Sequence, residues 1–311
     1  MKILITGGNS FTGIPLTAKL KEAGHEVTAL SSKDYDLTEQ SEVRKLFKEH
    51  SPDAIYHLAG KIGGIMANKT YPADFLYQNL AMNTYFLEEA RKAGIKRLLY
   101  TFCGCSLPEK TKNPIIEESL WTGMPAPESM FYSIAKSTSH LQIVAYRRQY
   151  GLDWASIIPA NAYGKNDNFH KNDSHVVAGL IRRFHDAKMN YDKSVTCWGT
   201  GLPLRDFINI DDVATALVIA LDKHHTEIPI NIASGKAVSI KELTEIVKDV
   251  VGFEGEIVWD SHMPTGQQVK IFDNERMKSI LGFEPVISLE NGIRDTYDWY
   301  LKALQTGQVR L

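Results

Sequence analysis

The sequence predicts an α/β protein in which a doubly wound parallel sheet is followed by a smaller C-terminal α/β part. In the first half of the chain, short apolar runs alternate with segments of helical periodicity, which is typical of parallel strands joined by helical crossovers. The first apolar run ends in a glycine-rich turn. With 311 residues, 43% of them hydrophobic, the chain is long enough to bury a large core.

The glycine-rich turn lies between a strand predicted at Lys2–Thr6 and a helix predicted at Ile14–Leu20. This arrangement directs backbone N–H groups and the positive end of a helix at a pyrophosphate, so we predict a dinucleotide site. Ser10 replaces the middle glycine of the usual pattern, and its Cβ would narrow the approach of the pyrophosphate. A turn without a ligand is the alternative. The predicted contacts are Gly7, Asn9, Ser10, Phe11, Thr12 and Gly13.

The predicted second strand, Glu26–Leu30, ends in Ser31–Lys33 rather than in an acidic residue. An acidic residue at this place binds the ribose 2′-hydroxyl of NAD, whereas a lysine and two hydroxyls suit a 2′-phosphate. We therefore predict NADP(H) as the cofactor; the alternative is that Lys33 is only a solvated surface charge. The next connection adds two predicted cofactor contacts, Asp36 and Leu37.

Further strands are predicted at Ala54–Gly60, Arg97–Phe102 and Trp154–Pro159, with a long helix over Ala73–Ala93. Ligands of such sheets bind beyond the carboxyl ends of the strands. We therefore predict cofactor contacts at Leu58, Ala59, Gly60, Pro159, Asn161 and Ala162, and Asn161 is also a candidate substrate contact. His57 lies within an apolar run and is predicted to be a core residue rather than a catalyst.

Tyr132 and Lys136 lie four residues apart in a segment predicted as helix, so both side chains emerge on one face. A phenol beside a fixed cation ionises more easily, which suits Tyr132 to proton transfer at a carbonyl oxygen. Taken alone the pair is a weak signal, since the same spacing occurs by chance on solvated helices.

Composition argues against several classes of function. A formal net charge of −2 and a pI near 6.6 give no basic field, so no nucleic-acid partner is predicted. No apolar run reaches the ~18 residues of a membrane span, and a strand starts directly after Met1, so we expect a cytoplasmic protein without a membrane partner. Cys103, Cys105 and Cys197 lack zinc-site spacing, and no metal is predicted. In an extended segment, Cys103 and Cys105 would point to opposite faces.

Several longer motifs resemble one family. They are Lys61–Asn68 with Tyr71–Phe75, Tyr132–Lys136, Asp167–Phe169, Ser174–Val176 and Trp198–Gly201. On these motifs, nearly the whole chain resembles the GDP-L-fucose synthases, which are extended short-chain dehydrogenase/reductases. The resemblance implies a Rossmann-type sheet, NADPH, and a GDP-4-keto-6-deoxymannose substrate that is epimerised at C3 and C5 and then reduced at C4. It also implies a homodimer joined through helices 73–93 and 132–150.

The resemblance also implies roles for individual residues. Cys105 would be the base and His175 the acid of epimerisation. Tyr132 would stabilise the enolate oxygen and later protonate O4, while Lys136 holds the ribose and lowers the pKa of the phenol. The residues that match family positions near the sugar nucleotide are His175, Arg183, Arg205 and Lys270.

Four positions depart from the family pattern. Cys103 stands where the family has the serine that shares the substrate oxygen with Tyr132, so it is a candidate catalytic residue in that place. A thiol is a weaker donor, and losing a good oxyanion donor can slow chemistry ~100-fold or more. Thr101 or Ser106 could supply the hydroxyl instead. The other departures are Ser10, Leu107 for a tyrosine of the cleft wall, and Val269 for an arginine.

The second half of the chain supplies most of the predicted substrate-binding part. Trp198 either stacks on a substrate ring or fills core, and core is favoured. Asp211 or Asp212 is predicted to cap a helix. Other predicted elements are helices at Ile240–Val251 and Leu289–Leu304 and a strand at Glu256–Asp260. The predicted boundaries are 1–165 for an NADP-binding domain, to which 205–235 and 288–304 return, and 166–311 for the substrate part.

Three functions fit these observations. The first is a GDP-sugar epimerase/reductase. The second, favoured by the four departures, is a relative with only one of the two activities on a related GDP-keto-sugar such as a 6-deoxy-heptose. The third is a nucleotide-binding module without catalysis, which has no need for Tyr132, Lys136, Cys105 and His175 together.

Overall fold

The computed structural model of the chain describes residues 1–171, 173–262 and 267–310. Its strands are β1 (Lys2–Thr6), β2 (Glu26–Leu30), β3 (Ala54–His57), β4 (Arg97–Thr101), β5 (Asp153–Pro159), β6 (Asn161–Tyr163), β7 (Ser194–Trp198), β8 (Leu204–Arg205), β9 (Phe207–Asn209), β10 (Ile230–Ile232), β11 (Val238–Ser239), β12 (Glu256–Asp260) and β13 (Val269–Lys270). Its helices are α1 (Gly13–Glu22), α2 (Gln40–Glu49), α3 (Ile65–Thr70), α4 (Pro72–Lys92), α5 (Met130–Tyr150), α6 (Val176–Met189), α7 (Ile210–Lys223), α8 (Ile240–Val251) and α9 (Leu289–Thr306). Within these ranges, no helix is long and apolar enough to cross a membrane.

The main sheet has six strands in the order β10-β5-β4-β3-β1-β2. Every neighbouring pair in it runs parallel. The order reverses at β1, which has β2 on one side and β3 on the other, and the crevice at such a reversal is the usual ligand site of an open α/β sheet. The predicted doubly wound parallel sheet is confirmed.

Helices cover both faces of the main sheet. Ile3 and Ile5 of β1 face a core cluster formed with α1 and α7, whereas Leu4 faces a second cluster formed with α2, α4 and α5. Because successive side chains of a strand point to opposite faces, a continuously apolar strand is buried on both sides. This burial places the polar residues after each strand at the edge of the sheet, where the site lies.

His57 is a core residue, as predicted. It is fully buried, its ring stacks on Phe86, and its Nδ1 and Nε2 lie 2.7 Å from Thr6 Oγ1 and 2.9 Å from Asn83 Oδ1. Burial lowers the pKa of His57 to about 3. The ring therefore stays neutral and holds β3 to its neighbours.

A third core cluster lies outside the main sheet. It combines apolar residues of α6, α8 and α9 with β7, which pairs in parallel with β12. The predicted return of 288–304 to the first sheet is wrong, because α9 packs Ile293, Tyr297 and Tyr300 into this third cluster. Helical periodicity shows which face of α9 is buried but not which element covers it. Within 205–235, by contrast, β10 pairs with β5 and α7 packs on α1.

The predicted cap of α7 is also wrong. Asn209 caps the helix, because its Oδ1 accepts a hydrogen bond from Asp211 N at 2.9 Å. Asp212 Oδ2 instead accepts a hydrogen bond from Ile287 N at 3.0 Å. Asn209 is the last extended residue before the helix, which is the conformation that a capping residue needs.

Candidate active site

The turn between β1 and α1 is shaped by glycine. Gly7 has a φ of +71°, in the left-handed region that favours glycine. A Cβ on Gly13 would lie 2.3 Å from the Gly7 carbonyl oxygen, so the start of α1 packs directly on the turn. The backbone is therefore open to close approach, with the positive end of a helix behind it. This cradle fits the diphosphate of a dinucleotide.

Ser10 is turned back on the start of α1. Its Oγ accepts a hydrogen bond from Gly13 N at 3.0 Å, so the departure from glycine serves to fasten the turn. The bond engages one backbone donor at the helix N-terminus. Thr12, at the cap position, makes no capping bond with its side chain.

The residues after β2 hold an acidic group as well as a basic one. Ser31 donates from its N and its Oγ to Asp34 Oδ2, at 2.7 and 2.8 Å, and these bonds lower the pKa of Asp34. The Ser31 hydroxyl predicted to favour a 2′-phosphate is thus engaged with a carboxylate. Lys33 is exposed beside it, Leu37 is buried, and the Asp36 carboxylate accepts hydrogen bonds from Thr38.

The carboxyl ends of β3 and β5 form the next wall of the cleft. Ala59 N donates to Thr6 Oγ1 at 3.3 Å, and a Cβ on Gly60 would lie 3.7 Å from Lys136 Nζ. Asn161 is held by the protein itself, since its Nδ2 donates to the Asp206 carbonyl oxygen at 2.8 Å. The other predicted cofactor contacts at these ends are Leu58, Pro159 and Ala162, of which Leu58 is buried.

Tyr132 and Lys136 are both buried on one face of α5. Lys136 Nζ lies 4.3 Å from the centre of the Tyr100 ring, and burial lowers the pKa of Lys136 to about 8. Tyr132 packs edge-on against Phe75, and burial raises the pKa of its phenol, with the thiols of two nearby cysteines acting in the same direction. The net shift of this pKa is upward, and the lowering by Lys136 that the family resemblance implies stays a prediction. The phenol stays protonated at neutral pH.

Cys103 and Cys105 lie where the chain leaves β4 and turns into a 3₁₀ helix at Gly104–Ser106. Because the chain turns here, the expectation of opposite faces, made for an extended segment, does not apply, and the two thiols are close enough to shift each other's pKa. Donation from Cys103 lowers the pKa of the Cys105 thiol, and the charges of Lys270 and His175 lower it further. Burial raises the pKa of Cys103. Cys105 is therefore the thiolate of the pair and Cys103 the donor.

Cys103 keeps the place beside the phenol that the family gives to a serine. The Cys103 thiol is close enough to the Tyr132 hydroxyl to contribute to the raised pKa of that phenol. The two alternative hydroxyls are engaged elsewhere: Ser106 donates to the Ser133 carbonyl oxygen at 3.1 Å, and Thr101 donates to the backbone of β3 at 3.3 Å. Ser106 Oγ also lies 3.3 Å from Cys103 Sγ.

His175 precedes α6 and pairs with a buried carboxylate. Its Nδ1 lies 2.9 Å from Asp167 Oδ1, which also accepts a hydrogen bond from Asn168 N at 2.7 Å. Asp167 is only 1% exposed, and within the described part of the chain its Oδ2 has no partner. The bond to Asp167 raises the pKa of His175, as do the charges of Asp167 and Cys105. The raised pKa favours the imidazolium, in which Nδ1 and Nε2 are both donors.

The Lys61–Asn68 motif anchors the loop that carries His175. Gly64 N donates to Asp173 Oδ1 at 2.7 Å, and a Cβ on Gly64 would lie 2.7 Å from that oxygen. A larger residue at this position would therefore require the Asp173 carboxylate to move. From the other side, the ring of Phe11 in the glycine turn lies 6.3 Å from the His175 ring.

Trp198 and Arg183 form an open aromatic surface. The Trp198 side chain is 51% exposed, so the favoured prediction of a core residue is wrong. Alternate residues of β7 are buried, and Trp198 lies on the exposed alternation. The Arg183 guanidinium lies 5.8 Å from the centre of the Trp198 ring and donates to the Thr196 carbonyl oxygen at 3.0 Å. The indole can therefore stack on a ligand ring.

Arg205 and Lys270 lie side by side on two paired strands. They are register partners in the parallel pair of β8 and β13, and Val269 precedes Lys270 with 37% exposure. Burial lowers the pKa of Arg205, and among the described residues no carboxylate forms an ion pair with it. A half-buried cation without a carboxylate is suited to an anionic ligand. The charge of Lys270 also reaches the Cys105 thiol.

In residues 1–171, 173–262 and 267–310, no group of three or more His, Cys, Asp or Glu is arranged to hold a metal ion. Sequence reasoning missed four polar residues of the site: Asp34, Asp167, Asp173 and Arg310. Asp167 belongs to a family motif and Asp34 lies only three residues from Ser31, which donates to it, whereas the contacts of Asp173 and Arg310 join distant segments.

Comparison with known proteins agrees with this geometry. The model of the NAD dependent epimerase/dehydratase family matches residues 3–233. The chain is 43% identical over 302 residues to GDP-L-fucose synthase 1 of Arabidopsis thaliana, covering 97% of this chain and 93% of that protein.

Two solved structures share the fold over almost their full length. A GDP-6-OMe-4-keto-L-xylo-heptose reductase from C. jejuni has a TM-score of 0.90 and 30% identity, with 97% of each chain covered. A GDP-L-fucose synthetase from Naegleria fowleri bound to NADP has a TM-score of 0.91 and 27% identity, with 100% of this chain and 96% of that chain covered. The chain therefore belongs to the NAD dependent epimerase/dehydratase family and, within it, to the GDP-L-fucose synthase family.

Proposed function

We propose that the protein is an NADPH-dependent epimerase/reductase of a GDP-4-keto-6-deoxy-hexose, which inverts C3 and C5 of GDP-4-keto-6-deoxymannose and then reduces the C4 ketone. The observation that carries this proposal is the grouping of a thiolate, an imidazolium and a protonated phenol. Their charges interact across one site: Cys105 with His175, and Tyr132 with both cysteines. The direction of each pKa shift favours the protonation state that the role of the group requires.

Epimerisation needs a base and an acid near one ketone. A C4 carbonyl acidifies the C–H bonds on both neighbouring carbons, because the electron pair left at C3 or C5 is delocalised onto O4. The Cys105 thiolate removes the proton, and the resulting thiol is neutral. The His175 imidazolium then returns a proton to the same carbon from the opposite ring face, which inverts the centre.

The phenol of Tyr132 serves both half-reactions. During epimerisation its hydroxyl donates a hydrogen bond to the developing enolate at O4. During reduction it protonates O4, for which a phenol with a raised pKa is correctly charged at neutral pH. Lys136, whose pKa of about 8 leaves it mostly protonated at pH 7, stabilises the phenolate that remains.

The cofactor is NADP(H). Gly7 and Gly13 shape the turn that fits its diphosphate, Lys33 would hold the 2′-phosphate, and Lys136 the nicotinamide ribose. When bound, NADPH supplies the hydride for C4. We assign the cofactor to the part formed by residues 1–165 with the later strands of the main sheet, and the nucleotide sugar to residues 166–311.

The nucleotide part of the substrate has cations available on the second part of the chain. Arg205 and Lys270 are neighbours on paired strands, and Arg183 lies under the exposed ring of Trp198. One guanidinium group can bind two oxygens of a phosphate at the same time, and an indole can stack on a planar base. These residues suit a nucleoside diphosphate, and the charge of Lys270 reaches the base Cys105.

Isotope exchange tests this function directly. The protein is incubated with GDP-4-keto-6-deoxymannose in deuterated water, with and without NADPH. Deuterium at C3 and C5 without NADPH, followed by NADPH oxidation when it is added, is the expected result. A protein that neither exchanges deuterium nor oxidises NADPH over a panel of GDP-keto-sugars contradicts the proposal, and would be a binding module.

A C4 reductase without epimerase activity is the second candidate. It is favoured by the likeness to the C. jejuni heptose reductase and by Cys103, the thiol in place of the family serine. In the same experiment such an enzyme would oxidise NADPH with a GDP-keto-heptose and leave C3 and C5 free of deuterium. An epimerase without reductase activity would incorporate deuterium at C3 and C5 and would not oxidise NADPH.

We further infer a homodimer joined through α4 and α5. These two long helices pack on each other and carry exposed apolar side chains, including Tyr77 and Leu141 at 65% and 52% exposure. Sedimentation of the wild type and of Leu141→Glu would test the dimer, with a shift to monomer expected in the variant.

We also propose a cytoplasmic location. Cys103, Cys105 and Cys197 are all free, which accords with it.

A further inference from the structure

The segment that follows α9 runs back to the glycine turn. Phe169 N donates to the Arg310 carbonyl oxygen at 2.8 Å, and Asn168 forms a parallel bridge with Arg310. The Arg310 guanidinium donates a hydrogen bond to the carbonyl oxygen of Asn9. One residue therefore joins loop 167–175 of the substrate part to the turn between β1 and α1.

The glycine turn has no positive side chain of its own. Residues 7–13 are all neutral, and so is the rest of the first turn of α1. Lys33 is the cation predicted nearby, but it is followed by the Asp34 carboxylate, to which Ser31 donates. Arg310 lies 301 residues along the chain from Asn9, and the tertiary structure brings its cation to the turn.

The Arg310 side chain has more hydrogen-bond donors than its bond to Asn9 uses. A guanidinium has five N–H groups, and the bond to Asn9 uses one of them. The residue is exposed, and in the part of the chain that the structure describes no carboxylate lies within ion-pair distance of it. A solvent-facing guanidinium fixed by one hydrogen bond beside a diphosphate cradle is placed to bind phosphate oxygens.

We propose that Arg310 is a phosphate-binding residue of the cofactor site, which contributes a charged contact to the diphosphate or the 2′-phosphate of NADP(H). The proposal rests on the cofactor named under the proposed function. Its closest alternative is a purely structural role, in which Arg310 only fastens loop 167–175 to the glycine turn through its bond to Asn9.

Direct titration of the cofactor separates the two roles without any turnover. NADPH and NADH are titrated into the full chain while the fluorescence of the bound nicotinamide is followed, for wild type, R310A, R310Q and R310K. R294A is the matched control, since Arg294 lies on α9, is similarly exposed and pairs with Glu290. Wild-type protein that binds neither nucleotide would count against the proposed function rather than against Arg310.

We expect R310A to weaken NADPH binding by about tenfold, as for the loss of one exposed charged hydrogen bond. R310Q should lose as much, because a glutamine amide has no charge and ends two bonds short of the guanidinium nitrogen that donates to Asn9, whereas R310K, which keeps the charge, and R294A should bind as wild type does. Equal losses for NADPH and NADH assign the contact to the diphosphate, and a loss confined to NADPH assigns it to the 2′-phosphate. Wild-type affinity in R310A, or in R310Q, would overturn the proposal.

Discussion

The acid of the proposed epimerisation, His175, is paired with a buried carboxylate, so we expect Asp167→Asn to slow proton exchange. The Asp167 carboxylate is 1% exposed and lies 2.9 Å from His175 Nδ1. Asparagine has nearly the same shape and can accept the same hydrogen bond through its Oδ1. The substitution therefore removes the negative charge while the imidazole stays in place.

The size of the effect follows from the exposure of the imidazole. General acid catalysis contributes on the order of 10²- to 10⁴-fold, and the full loss would require His175 to be neutral at all pH values. The His175 side chain is 57% exposed, so water screens part of the interaction with Asp167, and we expect a loss of about tenfold near pH 8.

The sign of the pH dependence is determined by the direction of the pKa shift. Asp167 raises the pKa of His175, so the Asp167→Asn substitution should lower that pKa. A smaller fraction of His175 is then protonated at neutral and alkaline pH. Below the lowered pKa both proteins carry an imidazolium. The deficit of the variant should therefore shrink as the pH falls toward about 6.

Deuterium incorporation at C3 and C5, measured without NADPH across this pH range, is the assay. Asp192→Asn serves as control, because Asp192 follows α6 and is exposed. A ratio of variant to wild-type rate that is the same at every pH would refute the reasoning, since a structural defect alone produces such a constant ratio. A variant as fast as wild type at pH 8 would refute it as well.

Three further changes test the rest of the site. Cys103→Ser should speed C4 reduction about tenfold, measured as NADPH oxidation, because a hydroxyl beside Tyr132 is a better hydrogen-bond donor than a thiol. An unchanged or lower rate would mean that the site has adapted to the thiol. Lys33→Glu should weaken NADPH about tenfold and NADH much less, and equal losses would remove Lys33 from the 2′-phosphate. Gly13→Ala should lower the free energy of unfolding by about 2 kcal/mol and abolish NADPH binding, because its Cβ would lie 2.3 Å from the Gly7 oxygen; full binding would show that the turn can open.

Much of the fold could be predicted because its signals are local. The apolar runs of β1, β2 and β12 and the periodicity of α8 predicted those elements with the bounds that the structure has. Capping residues, glycine at helix ends and side-chain alternation act within a few residues, and alternating strands and helices leave a parallel sheet as the simple way to bury them. The turn Gly7–Gly13 was predictable for the same reason.

Protonation states required the tertiary structure. Spacing placed Tyr132 and Lys136 on one face of α5, but the sign of the phenol's pKa shift depends on burial and on two thiols from the end of β4. Likewise, the low pKa of Cys105 depends on Cys103, which a 3₁₀ turn brings to it, and on charges from two other segments. Desolvation and charge act through space, so neighbours in the sequence cannot reveal them.

By itself, the sequence determined the doubly wound sheet, the glycine cradle and which residues are candidates for the chemistry, because periodicity, turn geometry and side-chain type are properties of short segments. Tertiary structure decided which of these residues meet: Asp167 with His175, Arg310 with Asn9, and α9 with α6 and α8 instead of the main sheet. Each of these outcomes depends on which surfaces bury one another, and that is settled only when distant parts of the chain pack together.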